Sequence, residues 1–195
     1  MISSYRLGDV VLLPVDENTK TELELEHPNS IGAKYLLKKK RDERSNIDII
    51  TEIVLEHDVS MLPSDVSEST VIHLRLGDVV AGNEWHEKLK RPFNANHIKS
   101  LLMNETNKKY VIGKCFFAKP SSTNYEECIQ QSNAYLQDVI AKLGADHFDS
   151  GNADIDLCCA VRAKVFVQGR GYFSKLIVEI RKKLGLTTIE TSVHD

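Results

Sequence analysis

The segment KVFVQGRGYFSKLIVEI, residues 164–180, is the clearest indication of the fold class of this chain. KVFVQG is a compact apolar run of β-branched and aromatic residues, which predicts a buried strand. A glycine-flanked turn follows, and the next residues place apolar side chains at helical spacing with basic residues near the end, which predicts an amphipathic helix. A strand that passes through a tight turn into a helix is the unit of α/β proteins.

The same alternation extends from this segment toward the amino terminus. TVIHL at 70–74 and KKYVIGKCFFAKP at 108–120 predict two further buried strands. Helices are predicted from NANHIKSLLMNE, from the periodic segment that stops at Gly144, and from Leu157 to Ala163 after the polar loop DHFDSGNADID. We therefore expect the α/β class, with a parallel-sheet, Rossmann-like lobe at residues 69–195.

The first 68 residues predict a smaller α/β lobe. YRLGDVVLLPVD and the alternating TELELE are strand-like, and the apolar positions between Asn29 and His57 fit one broken helix or two shorter ones. The turn-rich MLPSDVSES marks the boundary near residue 68.

Composition restricts the partners that the chain can have. It contains 42% hydrophobic and 27% charged residues with a net charge of −3, which is typical of a globular protein with a sizeable core. The charge gives no global reason to expect nucleic acid or an anionic membrane as a partner. The chain shows no signal peptide or membrane span, which predicts a cytoplasmic location. Its four cysteines lack metal-binding spacing and are interpreted as buried thiols.

The hexamer RLGDVV occurs twice, at 6–11 and at 75–80, but only the second copy follows a buried strand. There His73, Arg75 and Asp78 emerge together at the carboxyl end of the strand, where open α/β sheets bind ligands. The planar donors of arginine match phosphate oxygens, and Gly77 permits a sharp turn or a close backbone approach. The alternative is a strand end capped by a surface pair between Arg75 and Asp78.

The turn at 169–174 is a second candidate anion site. It precedes a helix, so backbone N–H groups and the positive end of the helix dipole face the same edge of the sheet. The alternative is that its glycines only permit the turn. The candidate nucleotide-binding residues here are Gly169, Arg170, Gly171, Tyr172, Phe173 and Ser174.

With both stretches in view, the chain resembles the α1,2-, α1,6- and protein O-fucosyltransferase superfamily. VIHLRLGD is similar to the His-x-Arg peptide of that superfamily, and DIDLCCAVRAKVFVQGRGYFSKLIVEI is similar to its later peptide. The resemblance covers roughly residues 70 to 185. It implies the carboxyl-terminal half of a GT-B-like, inverting glycosyltransferase that uses a nucleotide sugar, GDP- or UDP-linked, without an essential metal or other cofactor.

The resemblance also implies roles for individual residues. Arg75 would hold the β-phosphate of the leaving nucleotide, His73 would line the nucleotide pocket, and Asp156 would recognise the base. Gly171, Tyr172 and Phe173 would offer backbone contacts to the diphosphate. Inverting transfer also benefits from a carboxylate that deprotonates the acceptor hydroxyl. Glu84 is the first candidate and Asp78 the second, the alternative being a solvated loop carboxylate.

The sequence departs from the superfamily pattern in three places. Leu76 stands where many relatives have a second arginine, a charge that Arg170 can supply, the alternative being that Arg170 is an exposed turn residue. The turn at 169–171 replaces the Ser/Thr usual in the later turn. The resemblance makes the lobe at 69–195 the nucleotide-sugar-binding lobe and the lobe at 1–68 the candidate acceptor side, which is short for the superfamily.

The expected partners are a nucleotide sugar, a glycan or glycoprotein acceptor, and a second copy of the chain in a homodimer. Two alternatives remain: a non-catalytic nucleotide-binding or partner module, and a metal-dependent GT-A-like transferase that uses Asp154 and Asp156.

Overall fold

A computed structural model of the chain describes residues 28–77, 79–80, 93–116 and 125–191. These residues form helices and short strands that alternate along the chain from residue 70 onward. The helices are α1 Ile31–Lys39, α2 Asn46–Glu56, α3 Ala95–Leu101, α4 Tyr125–Leu143, α5 Ala153–Arg162 and α6 Tyr172–Lys183. The strands are β1 Thr70–His73, β2 Leu76–Gly77, β3 Lys109–Ile112, β4 Cys115–Phe116, β5 Asp146–His147, β6 Val165–Val167 and β7 Thr188–Ile189.

The main sheet in this part of the chain has five parallel strands in the order β5-β3-β1-β6-β7. Its central strand, β1, is buried along its whole length, as expected for a strand covered on both faces. Beyond the carboxyl ends of β1 and β3, β2 and β4 form a second parallel pair. The predicted α/β class with a parallel sheet is confirmed.

Helices cover both faces of the sheet. On one face, α1, α2, α5 and α6 pack against Val71, Tyr110 and Phe166. On the other face, α3 and α4 pack against Ile72 and Val111. Successive strand residues therefore contribute to opposite cores, as the twofold period of a strand requires.

The predicted helices are confirmed, and their polar caps explain where they begin. Ser30 and Ser45 accept hydrogen bonds from the first turns of α1 and α2, so the region from 29 to 57 contains two helices. Asn152 caps α5 in the same way, so this helix begins at Ala153 rather than near Leu157. Gly144, at φ +58°, ends α4.

Two strands of the sheet differ from the sequence-based expectation. The segment 146–156 was expected to be a polar loop, but it begins with β5, and β7 follows α6. Both strands are two residues long, and both residues of β5 are exposed. They exist because they pair with β3 and β6, an interaction between backbones that leaves no hydrophobic pattern in the sequence.

The two helices at 31–56, which the sequence analysis assigned to a separate small lobe, contribute to the same core as α5 and α6. The Ile31 N–H donates to Asp154 Oδ2 at 3.1 Å, and the Arg162 guanidinium donates to the carbonyls of Val54 and Leu55 at the end of α2. Residues 1–27 lie outside the described residues, so the division of the chain near residue 68 stays a prediction.

Arg181 is a buried cation that joins three elements of the fold. Its side chain has no exposed surface, and it donates to five backbone carbonyls and one hydroxyl. Nη1 reaches the carbonyls at the end of α5, and Nη2 reaches Lys164 and Thr187, which precede β6 and β7. The sequence pattern identified only basic residues in the last turn of α6, with no indication that this one is buried.

None of the described helices is both long enough and apolar enough to cross a membrane.

Candidate functional site

A cavity lies beyond the carboxyl ends of the central strands. The chain continues from β1 to β3 on one side and from β6 to β7 on the other, so the strand order reverses direction between the neighbours β1 and β6. Open α/β sheets bind ligands at such a switch point, in the crevice outside the carboxyl ends of the strands. The His73–Arg75 peptide follows β1, and the glycine turn at 169–171 follows β6, so both reach this edge.

Residues from both predicted anion-binding stretches line this cavity, which encloses about 150 Å³. That volume lies below the roughly 300–1,000 Å³ of typical small-molecule sites and suits a part of a ligand, such as its diphosphate. The lining residues are His73, Leu74, Arg75, Gly113, Lys114, Ala153, Asp156, Arg170, Gly171 and Phe173.

Arg75 and Gly171 bring the two stretches into direct contact. A Cβ atom placed on Gly171 would lie 2.8 Å from Nη1 of Arg75, so the guanidinium packs against the bare backbone of this glycine. Gly171 has φ +95°, a conformation that favours glycine, and it is the residue that caps α6. The arginine therefore lies beside the amino terminus of a twelve-residue helix, where the helix dipole also favours an anion.

His73 is buried at the wall of the cavity. It is 9% exposed, and among the described residues its Nδ1 has no hydrogen-bond partner. Its ring packs against Phe173, with 5.3 Å between ring centroids, and a Cβ on Gly169 would lie 2.4 Å from Nδ1. Burial, with a contribution from the charge of Arg75, lowers the pKa of His73 to about 3. A neutral imidazole can therefore donate or accept a hydrogen bond, but it adds no charge.

The turn at 169–174 divides into residues that face the cavity and residues that shape it. Ser174 is fully buried, and its Oγ accepts a hydrogen bond from the Gly169 N–H at 2.8 Å. Tyr172 is exposed and lies near Lys175, and neither it nor Ser174 lines the cavity. Gly77 does not line the cavity either, and its N–H donates a hydrogen bond to Ser132 Oγ on α4.

Arg170 lines the cavity and stacks on an aromatic ring. Its Cζ lies 4.0 Å from the ring centroid of Phe93, a cation–π geometry. Within the part of the chain that the structure describes, its buried Nε has no hydrogen-bond partner, and burial lowers the pKa of the guanidinium. This arginine places a second cation at the cavity.

Asp154 and Asp156 face different neighbours, although they are only two residues apart on α5. Asp154 is 2% exposed and accepts the hydrogen bond from Ile31 that attaches α1. Asp156 is 5% exposed, lines the cavity, and accepts a hydrogen bond from Ser150 Oγ at 2.5 Å. The described residues contain no group of three side chains suited to hold a metal ion.

Burial raises the pKa of Asp156 to about 6, despite the opposing effects of the Ser150 hydrogen bond and the Lys114 charge. The folded state therefore binds more protons than the unfolded chain between about pH 4 and 6, so stability falls as the pH rises through this interval. Above pH 6, Asp156→Asn removes the free-energy cost of burying an ionised carboxylate, and it keeps an oxygen that accepts the Ser150 hydrogen bond. We expect it to raise the free energy of unfolding by about 1–3 kcal/mol at pH 7.5.

Urea unfolding of wild type and Asp156→Asn at pH 7.5 and at pH 4 measures this effect. The gain should be present at pH 7.5 and nearly absent at pH 4. Asp138→Asn, on the exposed face of α4, is the matched control and should show no such difference. An equal effect of Asp156→Asn at both pH values would contradict the raised pKa of Asp156.

Sequence reasoning missed four of the lining residues, Leu74, Gly113, Lys114 and Ala153. It missed Gly113 and Lys114 because they lie inside a segment read as one continuous strand. The strand is interrupted at Gly113, which has φ +152°, and a Cβ there would lie 2.3 Å from the Leu74 carbonyl oxygen. The glycine allows the chains that follow β1 and β3 to approach closely. The sequence signal that could have identified them is the adjacent glycine and lysine after a β-branched run.

The two candidate bases, Glu84 and Asp78, lie outside the described residues, as does the first RLGDVV copy. No protein-family model matches this chain, and no curated protein matches it.

Proposed function

We propose that this chain binds the diphosphate of a nucleotide sugar in the cavity and transfers the sugar to a hydroxyl group. The observation that carries this proposal is the meeting of Arg75, Arg170, Asp156 and the α6 amino terminus at one switch point of a parallel sheet. The cations and the helix terminus suit a diphosphate, and the buried carboxylate suits the N–H donors of a nucleobase. The resemblance to fucosyltransferases favours a GDP-linked donor and a GT-B-like arrangement.

The reaction that follows from this proposal is an inverting displacement. The acceptor oxygen forms a bond to the anomeric carbon while the bond from that carbon to the β-phosphate oxygen breaks. The electron pair leaves on the diphosphate, where Arg75 and the N–H groups of α6 stabilise the developing charge. The acceptor proton passes to a carboxylate, for which Glu84 and Asp78 remain the candidates.

A panel of nucleotides tests the proposal. We expect GDP or UDP, alone or sugar-linked, to raise the unfolding temperature, since a ligand that binds only the folded state stabilises it. GMP and UMP, which lack the second phosphate, should have a much smaller effect. If no nucleoside diphosphate or nucleotide sugar raises the unfolding temperature at millimolar concentration, the proposal is wrong.

Turnover and metal dependence separate the remaining alternatives. Sugar release or transfer from the stabilising donor, measured with and without EDTA, should be unaffected by the chelator. Activity lost with EDTA and restored by Mn²⁺ would favour the metal-dependent alternative, in which Asp156 would have to serve without Asp154. Nucleotide binding without any turnover would favour the non-catalytic module.

A further inference from the structure

Lys114 occupies the position beside Arg75 at the edge of the sheet. β1 and β3 pair His73 with Ile112, and β2 and β4 pair Leu76 with Cys115. The offset is the same in both pairings, so Arg75 stands opposite Lys114 in the register. Both residues line the cavity. Two cations therefore follow adjacent strands and face the same space, although no motif in the sequence links them.

The present partner of Lys114 is an exposed carboxylate. Its Nζ lies 4.0 Å from Asp149 Oδ1, at the limit of an ion pair, and the two side chains are 46% and 59% exposed. Asp149 Oδ1 also accepts a hydrogen bond from the Gly151 N–H, which holds the carboxylate in the turn before α5. Exposed pairs of this kind contribute little to stability, so a bound anion can replace Asp149 at little cost.

We infer that Lys114 is a phosphate-binding cation of this cavity and that Asp149 competes with the ligand for it. This inference rests on the diphosphate site of the proposed function. Lys114 then supplies positive charge from a different strand at a site where Leu76 stands in place of a second arginine. Asp149 keeps the lysine near the cavity when no ligand is bound, and it weakens the binding of anions.

Inorganic pyrophosphate is the probe, because its binding does not depend on the identity of the base or sugar. Calorimetry at low ionic strength and pH 8 keeps Asp156 ionised, two units above its pKa of about 6. Lys114→Met should weaken pyrophosphate binding about 10-fold, the loss of one hydrogen bond to a charged group. Asp149→Asn should strengthen it about 2- to 5-fold.

The double variant separates competition from simple repulsion. If Asp149 acts through Lys114, Asp149→Asn should gain little in the Lys114→Met background, a non-additivity that a double-mutant cycle measures. The pair Lys142 and Asp138, another exposed lysine and aspartate in contact, provides the controls Lys142→Met and Asp138→Asn. Neither control should change pyrophosphate affinity by as much as 2-fold at low salt.

Different results distinguish the failure of this inference from the failure of the proposed function. Pyrophosphate binding that depends on Lys114, without binding of any nucleoside diphosphate, would overturn the proposed function and support the inference. Nucleoside diphosphate binding that Lys114→Met leaves unchanged would overturn the inference alone. An equal gain from Asp149→Asn with and without Lys114, or wild type that does not bind pyrophosphate, would also overturn it.

Discussion

Replacing Arg75 by alanine is expected to weaken nucleoside diphosphate binding by about 10- to 100-fold, because hydrogen bonds to charged groups contribute about 1.5–3 kcal/mol. The transfer rate should fall further, by about 100- to 1,000-fold, since the charge on the diphosphate grows in the transition state. Arg75 lines the cavity and lies against Gly171 at the start of α6, so its loss removes a cation that contacts the helix terminus. Calorimetry and initial rates measure the two effects.

Two further variants make this test specific. Arg75→Lys keeps the charge but loses the planar pair of donors, so its affinity should lie between those of wild type and alanine. Arg44→Ala removes an arginine that pairs with Asp42 and Glu52 on the surface, and it should leave binding unchanged. The cavity is not the phosphate site if Arg75→Ala binds nucleotide as wild type does and unfolds at the same temperature.

Arg181→Met is expected to cause the largest loss of stability, about 3–5 kcal/mol, since it removes a buried cation whose partners then lack donors. Nη1 donates to the carbonyls of Ala160, Val161 and Ala163 at 2.8, 2.9 and 2.8 Å. The fully buried arginine ties α5 and the segment before β6 to α6. The midpoint of thermal unfolding should fall by roughly 6–20 °C for a chain of this size.

The neighbouring residue provides the control. Lys182 is exposed and forms a surface ion pair with Glu190 at 2.8 Å, so Lys182→Met should change the free energy of unfolding by less than about 0.5 kcal/mol. Arg181→Lys keeps the charge with fewer donors and should fall between wild type and methionine. A midpoint for Arg181→Met within one degree of that for Lys182→Met would disprove the structural role of this arginine.

Strands β1 and β6 and helices α4 and α6 could be predicted from the sequence because their signals are local. A β-branched run such as TVIHL or an apolar period of 3.6 residues records burial residue by residue. β5 and β7 could not be predicted, because two exposed or half-buried residues become a strand only when a neighbouring backbone is present. Arg181 could not be predicted for the same reason, since its burial depends on carbonyls from α5 and from Thr187, just before β7, that converge on α6.

The candidate site likewise has features that follow from local sequence and features that depend on packing. The two candidate anion-binding peptides could be predicted from the sequence, because an arginine after a buried strand and a glycine turn before a helix are local arrangements. The packing of the fold brings Arg75, Gly171 and Asp156 together in one cavity and adds Lys114 to them. It also places Asp154 away from that cavity, where its carboxylate accepts a hydrogen bond from the start of α1. These contacts could not be predicted because proximity across a sheet follows from strand order and register, which backbone pairing sets between segments far apart in the chain.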